Sequence, residues 1–200
     1  MKISLFCRLV AAITVVLLFP VQLTADVLVD IDVTSSDIGE LPSITNDGTL
    51  GGTFDAEKDT PASVTEVDGV KAITLQEDWY VGPASTPLAG DADRSLEAWV
   101  HNPVIAVEET IVAWGRRGGP DASNWSMLYG NHNTWGALGG WGGSADMPFV
   151  PGGGAPAAGK WHHLALIYDS ASNTRSIYVD GALSNSENDG PALNTHAVDD

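Results

Sequence analysis

From residue 175 to residue 180 the side chains alternate: Ile177 and Val179 fall on one side of an extended chain, Ser176, Tyr178 and Asp180 on the other. Just before it, residues 161–168 form an apolar-rich run without Gly or Pro, bounded by Gly159 and by the turn-forming residues 169–173. Asp180-Gly181 accepts the positive φ angles of a two-residue hairpin turn, and Ala182-Leu183 begins the return. This pattern predicts an antiparallel meander. A second hairpin is predicted from residues 64–67 and 70–75 around Asp68-Gly69. Residues 27–33 alternate apolar positions with Asp30 and Asp32, as a strand with one wet face would. Further strands are predicted at 79–81, 94–101, 109–114, 125–129 and 134–138. Residues 139–160, dense in Gly and Pro, read as a long loop of the kind that often carries function. Residues 184–200 are rich in Asn, Asp, Ser and Gly and show no strand-like run. No helical period or internal repeat emerges after the N-terminus. The expected class is all-β, an antiparallel sandwich.

The first 25 residues follow another pattern. Lys2 and Arg8 precede an apolar stretch at residues 9–18, and Leu23-Thr24-Ala25 offers a small residue before Asp26. This reads as a signal peptide, residues 1–25, and predicts a secreted or cell-surface protein. The apolar run is short for a membrane span, so none is expected once the signal is removed. Cys7, the only cysteine, would leave with the signal, and stability would then rest on the core without disulfides. The remaining 175 of 200 residues suit one domain.

Charge narrows the partners. The chain carries a net charge of −17, and loss of Lys2 and Arg8 takes it to −19. Such a field repels phosphate backbones, so nucleic acid is not an expected partner.

Three segments resemble a known family. The stretch Trp161-His-His-Leu-Ala-Leu-Ile-Tyr-Asp169 with Ile177-Tyr-Val-Asp-Gly-Ala-Leu183, the strand Arg94-Ser-Leu-Glu-Ala-Trp-Val-His101, and Ile111-Val-Ala-Trp-Gly-Arg-Arg-Gly-Gly-Pro-Asp121 are similar to laminin G-like domains of the concanavalin A-like lectin/glucanase superfamily. The resemblance implies a jelly roll of two antiparallel sheets over residues 26–200. In such domains further strands follow the last hairpin, so the domain is expected to be incomplete at its C-terminal end, with an open sheet edge. The same sandwich hosts binding modules, adhesins and enzymes, so function must be argued from the site.

Seven tryptophans are many for such a chain. Trp99 and Trp161 lie on strands, where packing is the expected role. Trp135 and Trp141 lie among Asn131, Asn133 and several glycines, where no core pattern claims them. Flat indoles in polar loops suit stacking on a sugar ring, with Asn and Asp binding hydroxyls; the alternative is that they cover the open edge of the sandwich. Arg116 and Arg117 either bind a carboxylate or sulfate bidentately or fix their loop by an ion pair with Asp121 or Glu109. The candidate ligand-binding residues are therefore Trp114, Arg116, Arg117, Asn131, Trp135 and Trp141. The resemblance also implies calcium; its hard oxygen ligands would come from Asp121 and Asn124. Asp55, Glu57 and Asp59 lack the Gly and distal Glu of a contiguous calcium loop. His162-His163 resembles a zinc pair, but adjacent strand residues point to opposite faces, which favours packing.

Catalytic signatures are absent. The glucanase branch carries Glu-x-Asp-x-Glu on one strand, and neither it nor its one-residue-longer form occurs here. Neither Gly-x-Ser-x-Gly nor His-Glu-x-x-His is found. The expected function is a non-catalytic module that binds an extracellular glycan, or in the alternative an adhesive domain that contacts a surface protein. A glycoside hydrolase is the third and least favoured reading.

Overall fold

Two Asp-Gly dipeptides turn the chain where the sequence placed hairpins. Asp68 and Gly69 have φ of 53° and 80°, Asp180 and Gly181 of 52° and 79°, so both central residues of each turn are left-handed and match the twist of the flanking strands. The computed structural model describes residues 25–57, 61–84 and 86–197. The predicted signal peptide lies outside them except for Ala25. The strands are β1 (Gly39–Glu40), β2 (Ser43–Thr45), β3 (Thr53–Ala56), β4 (Ser63–Val67), β5 (Val70–Thr74), β6 (Tyr80–Val81), β7 (Arg94–His101), β8 (Thr110–Gly115), β9 (Asn124–Leu128), β10 (Leu138–Gly139), β11 (Trp161–Asp169), β12 (Thr174–Val179) and β13 (Ala182–Glu187). All pairings between them are antiparallel.

Two sheets form the sandwich. In one the order is β13-β12-β11-β7, in the other β10-β9-β8, and β1-β4-β5 and β2-β3-β6 make smaller sheets from the N-terminal third. Register decides which side chains meet. Leu96, Leu166 and Ile177 form one row across the first sheet, Ala98, Leu164 and Val179 the next. These rows join one apolar cluster with Trp125, Met127, Tyr129 and Leu138 of the second sheet. Trp125 approaches Tyr168 at 5.9 Å between ring centroids. Burying each such side chain contributes about 1.5–3 kcal/mol.

A third row is polar yet buried. Arg94, Tyr168 and Arg175 stand side by side on the inner face at one end of the first sheet. Arg94 donates to the carbonyls of Leu88 (2.5 Å), Gly90 (2.9 Å) and Ala92 (2.9 Å) and to the Thr195 hydroxyl (2.9 Å). The Tyr168 hydroxyl accepts from the Leu193 N–H at 3.2 Å, and Arg175 donates to the Pro191 carbonyl. This row fastens the returning C-terminal segment to the sandwich, and Leu193 is buried beneath it.

Four expectations are corrected. Residues 27–33 form no strand: residues 27–30 are tied to the 46–50 loop by backbone bonds from the N–H groups of Asp47, Thr49 and Leu50 and by the Asn46 side chain, which accepts from the Asp30 N–H and donates to the Leu28 carbonyl. Of residues 134–138 only Leu138 enters a strand. Residues 184–200 are not strandless, since β13 runs to Glu187 and Thr195 bridges Gly90. Polar Ser184, Asn185 and Ser186 hide that strand from a hydrophobic pattern. Trp99 does not pack inward; it is 68% exposed on the outer face, against the His163 ring at 5.3 Å.

Gly115 shows how tightly the sheet end meets the returning segment. Its φ is +93°, and an added Cβ would lie 2.4 Å from the Ser123 carbonyl oxygen and 2.6 Å from the Thr195 methyl. Gly115→Ala is expected to destabilise by about 2–4 kcal/mol, combining left-handed strain with overpacking. Urea unfolding measures it, and a midpoint unchanged from the parent would contradict the packing described.

Candidate functional site

β9 is buried on both faces. Trp125 and Met127 enter the core, so strand alternation sends Asn124, Ser126 and Leu128 to the opposite side. There they form, with Thr110 and Gly139, the floor of a cleft of about 420 Å³. Its walls are Glu108, Arg117, Trp135, Trp141, Gly142 and Asp146.

A backbone bond positions Trp141, and ring stacking positions Trp135. Trp141, 39% exposed, has a φ of 62°, an uncommon conformation for a bulky residue and one that costs about 1–2 kcal/mol. Glycines on either side make this conformation possible. A Cβ on Gly140 would lie 2.5 Å from the Ala145 carbonyl, and one on Gly142 would lie 2.3 Å from the Asp121 carboxylate. The Trp141 carbonyl accepts the Ala122 N–H at 2.9 Å. Trp135 stacks on the His132 ring, with centroids 4.3 Å apart and planes 22° apart. The Thr134 N–H donates to His132 Nδ1 at 3.1 Å and fixes that ring.

Three charged groups line the cleft. Arg117 is ion-paired with Glu108. Asp146 is half-buried, and its Oδ1 accepts the Gly140 N–H at 2.9 Å. Burial raises its carboxyl above the ordinary value of 3.8; the N–H groups of Gly140 and Trp141 and the charges of His132 and Arg175 oppose the rise. A raised folded-state value means that the folded protein holds this proton more tightly than the unfolded chain. The stability it contributes is present in acid and is lost as pH rises from about 3.8 through the raised value. Asp146→Asn keeps an oxygen acceptor for Gly140 and is expected to flatten that slope. Melting temperatures from pH 4 to pH 7 test this, and a mutant profile as steep as the parent's would refute it.

The cleft thus brings together Arg117, Trp135 and Trp141 from the predicted ligand set, with Asn124 on its floor. Trp114 pairs in register with Trp125 and therefore lies on the core side of the sheet, away from the cleft. Arg116 has an exposed side chain outside the cleft lining, and its backbone is tied to Ser123. Asn131 is exposed and outside the lining, its N–H bonded to the Ala106 carbonyl at 3.0 Å. Arg117 has its ion-pair partner in Glu108; Glu109 instead accepts from Asn102 and from the Ala106 N–H.

Asp121 lies against Gly142, and the Asn124 side-chain oxygen already accepts the Ser126 hydroxyl. Among the described residues no group of three or more His, Cys, Asp or Glu is placed to hold a metal ion. His162 contacts Asp180 at 2.7 Å, whereas His163 faces Glu97 at 3.4 Å, so the two histidines serve different faces.

Sequence reasoning missed Glu108, Thr110, Ser126, Leu128 and Asp146. The signal for the floor was the alternation of β9 itself, whose second face reads as polar and small beside the core residues Trp125 and Met127.

Residues 75–199 match the laminin G-like family model described as the concanavalin A-like lectin/glucanases superfamily, and the chain belongs to that family. Neither the curated proteins nor the solved structures gave a match. Among the described residues no helix is long and apolar enough to cross a membrane.

Proposed function

We propose that this is a secreted, non-catalytic module that binds glycans in the cleft on the outer face of the β10-β9-β8 sheet. The observation that carries the reading is the pair of indoles, Trp135 and Trp141, opening on one cleft with a floor of Asn124, Ser126 and Thr110. Indole faces cover the apolar side of a sugar ring, while amide and hydroxyl groups take its hydroxyls. Trp141 is held at a strained angle by backbone bonds, so the face is preorganised and little freedom is lost on binding. The charged groups support a binding role over hydrolysis. A glycosidase uses two carboxyl groups flanking the bond; of the two carboxyl groups among the described lining residues, Glu108 is engaged by Arg117.

A second reading, docking to a surface protein, has one observation in its favour. Trp99, Ile167 and Leu183 are exposed on the β13-β12-β11-β7 sheet.

A glycan array of the secreted protein, with and without calcium, tests the main reading. Binding that Trp135→Ala and Trp141→Gly both weaken supports it. Binding unaffected by either change, or no binding at all, would overturn it. Release of reducing ends from a bound glycan would overturn the non-catalytic part.

A further inference from the structure

The charges along the cleft distinguish between kinds of sugar. Arg117 is ion-paired with Glu108, so these two walls oppose their charges. Among the described residues no ion pair involves Asp146. Its Oδ1 is taken by the Gly140 N–H. It is anchored beside Trp141 and shares the cleft with Trp135. Two further side chains near it are engaged elsewhere: Arg175 is wholly buried and donates to Pro191, and the His132 ring is stacked on Trp135. A carboxylate that shares a cleft with two indoles is a combination suited to an ammonium group, by a charge-assisted hydrogen bond and by attraction to the ring faces.

We infer that the cleft takes an ammonium-bearing glycan, a polymer of unacetylated amino sugar, in preference to neutral or acidic polysaccharides. The inference rests on the glycan reading and adds the substrate class. A neutral ring closing over the cleft would remove water from the half-buried Asp146 without supplying an opposite charge. An acidic ring would meet Asp146 as a like charge, within the field of a chain whose net charge is −17. An amino group on the ring offsets both costs, and the chain's field draws a cationic polymer toward the site.

The test is calorimetric titration, near pH 6, with oligomers of equal length: oligoglucosamine, its N-acetylated counterpart and oligogalacturonate. The expected order is oligoglucosamine first, about tenfold tighter than the acetylated form, with oligogalacturonate last. Asp146→Asn should abolish that preference while binding of the acetylated oligomer persists. If the acetylated oligomer binds as tightly as the free amine, or the preference survives Asp146→Asn, this inference falls and the glycan reading stands. If no oligomer binds at the indoles, both fall. A lysine oligomer of equal charge guards against general attraction to an acidic protein. Should it bind as well as oligoglucosamine, and Trp141→Gly weaken neither, the proposed ammonium site is overturned.

Discussion

Trp141→Gly should weaken glycan binding by about 1–3 kcal/mol, the scale set by stacking of a flat ring on an indole, while leaving the fold intact. Most deletions of a large aromatic residue damage the protein that carries it. This one differs because the residue already occupies the left-handed region, with a φ of 62°. Glycine adopts that angle without strain, a gain of about 1–2 kcal/mol that offsets the packing the indole had supplied. The indole is exposed along one side, and on another it passes over Gly118, where even an added Cβ would come no nearer than 4.0 Å. Its removal therefore leaves no sealed cavity. The expected pairing is an unfolding free energy within about 1 kcal/mol of the parent together with a dissociation constant raised roughly 5- to 150-fold. Urea unfolding and titration with the best glycan read the two separately. A large stability loss with binding retained would make Trp141 a packing residue.

Arg94→Met should cost about 3–5 kcal/mol of stability, a large share of the 5–15 kcal/mol that holds a domain together. Methionine fills similar space but donates nothing. The carbonyls of Leu88, Gly90 and Ala92 and the Thr195 hydroxyl then lose the donor that spans them. Burial already pushes the guanidinium below its ordinary value, yet an arginine so solvated by carbonyls stays charged. Arg94→Lys should recover only part of the loss, since a single ammonium cannot reach four acceptors in a planar fork. Denaturant curves for the three proteins give the order. Equal stability of the methionine variant and the parent would mean that the row adds nothing to the hold on the C-terminal segment.

How much of this was legible beforehand depended on what each residue had to do. β7, β11 and β12 were readable because alternating Leu, Ile, Val and Tyr mark a half-buried strand, and the hairpins because Asp-Gly is chosen for its backbone angles. The pattern failed where polar residues carry the pairing. Residues 27–30 are held to the 46–50 loop by backbone bonds and the Asn46 side chain without forming a ladder, and β13 is built from polar Ser184, Asn185 and Ser186. Of the cleft, the two loop tryptophans and Arg117 could be named because no core pattern claimed them. Trp114 was misplaced because its face follows from its pairing with Trp125 across two strands, and register is invisible in a single strand. Glu108 and Asp146 went unnamed because one becomes a site residue only through Arg117 and the other only through the fold of the 139–147 loop.

The fastening of the C-terminal segment reaches further than stability. The Asn194 N–H donates to the Ala122 carbonyl at 2.9 Å, and the Ala122 N–H donates in turn to the Trp141 carbonyl at 2.9 Å. Nearby, Gly190 is wedged between the Arg175 guanidinium and the Ser144 carbonyl, leaving no room for a side chain. Two short relays thus join the end of the described chain to the 139–147 loop, so local opening at one is expected to loosen the other. A ligand held in the cleft should slow amide exchange at Leu193 and Asn194, which do not line it, and by reciprocity a loosened terminus should weaken binding there.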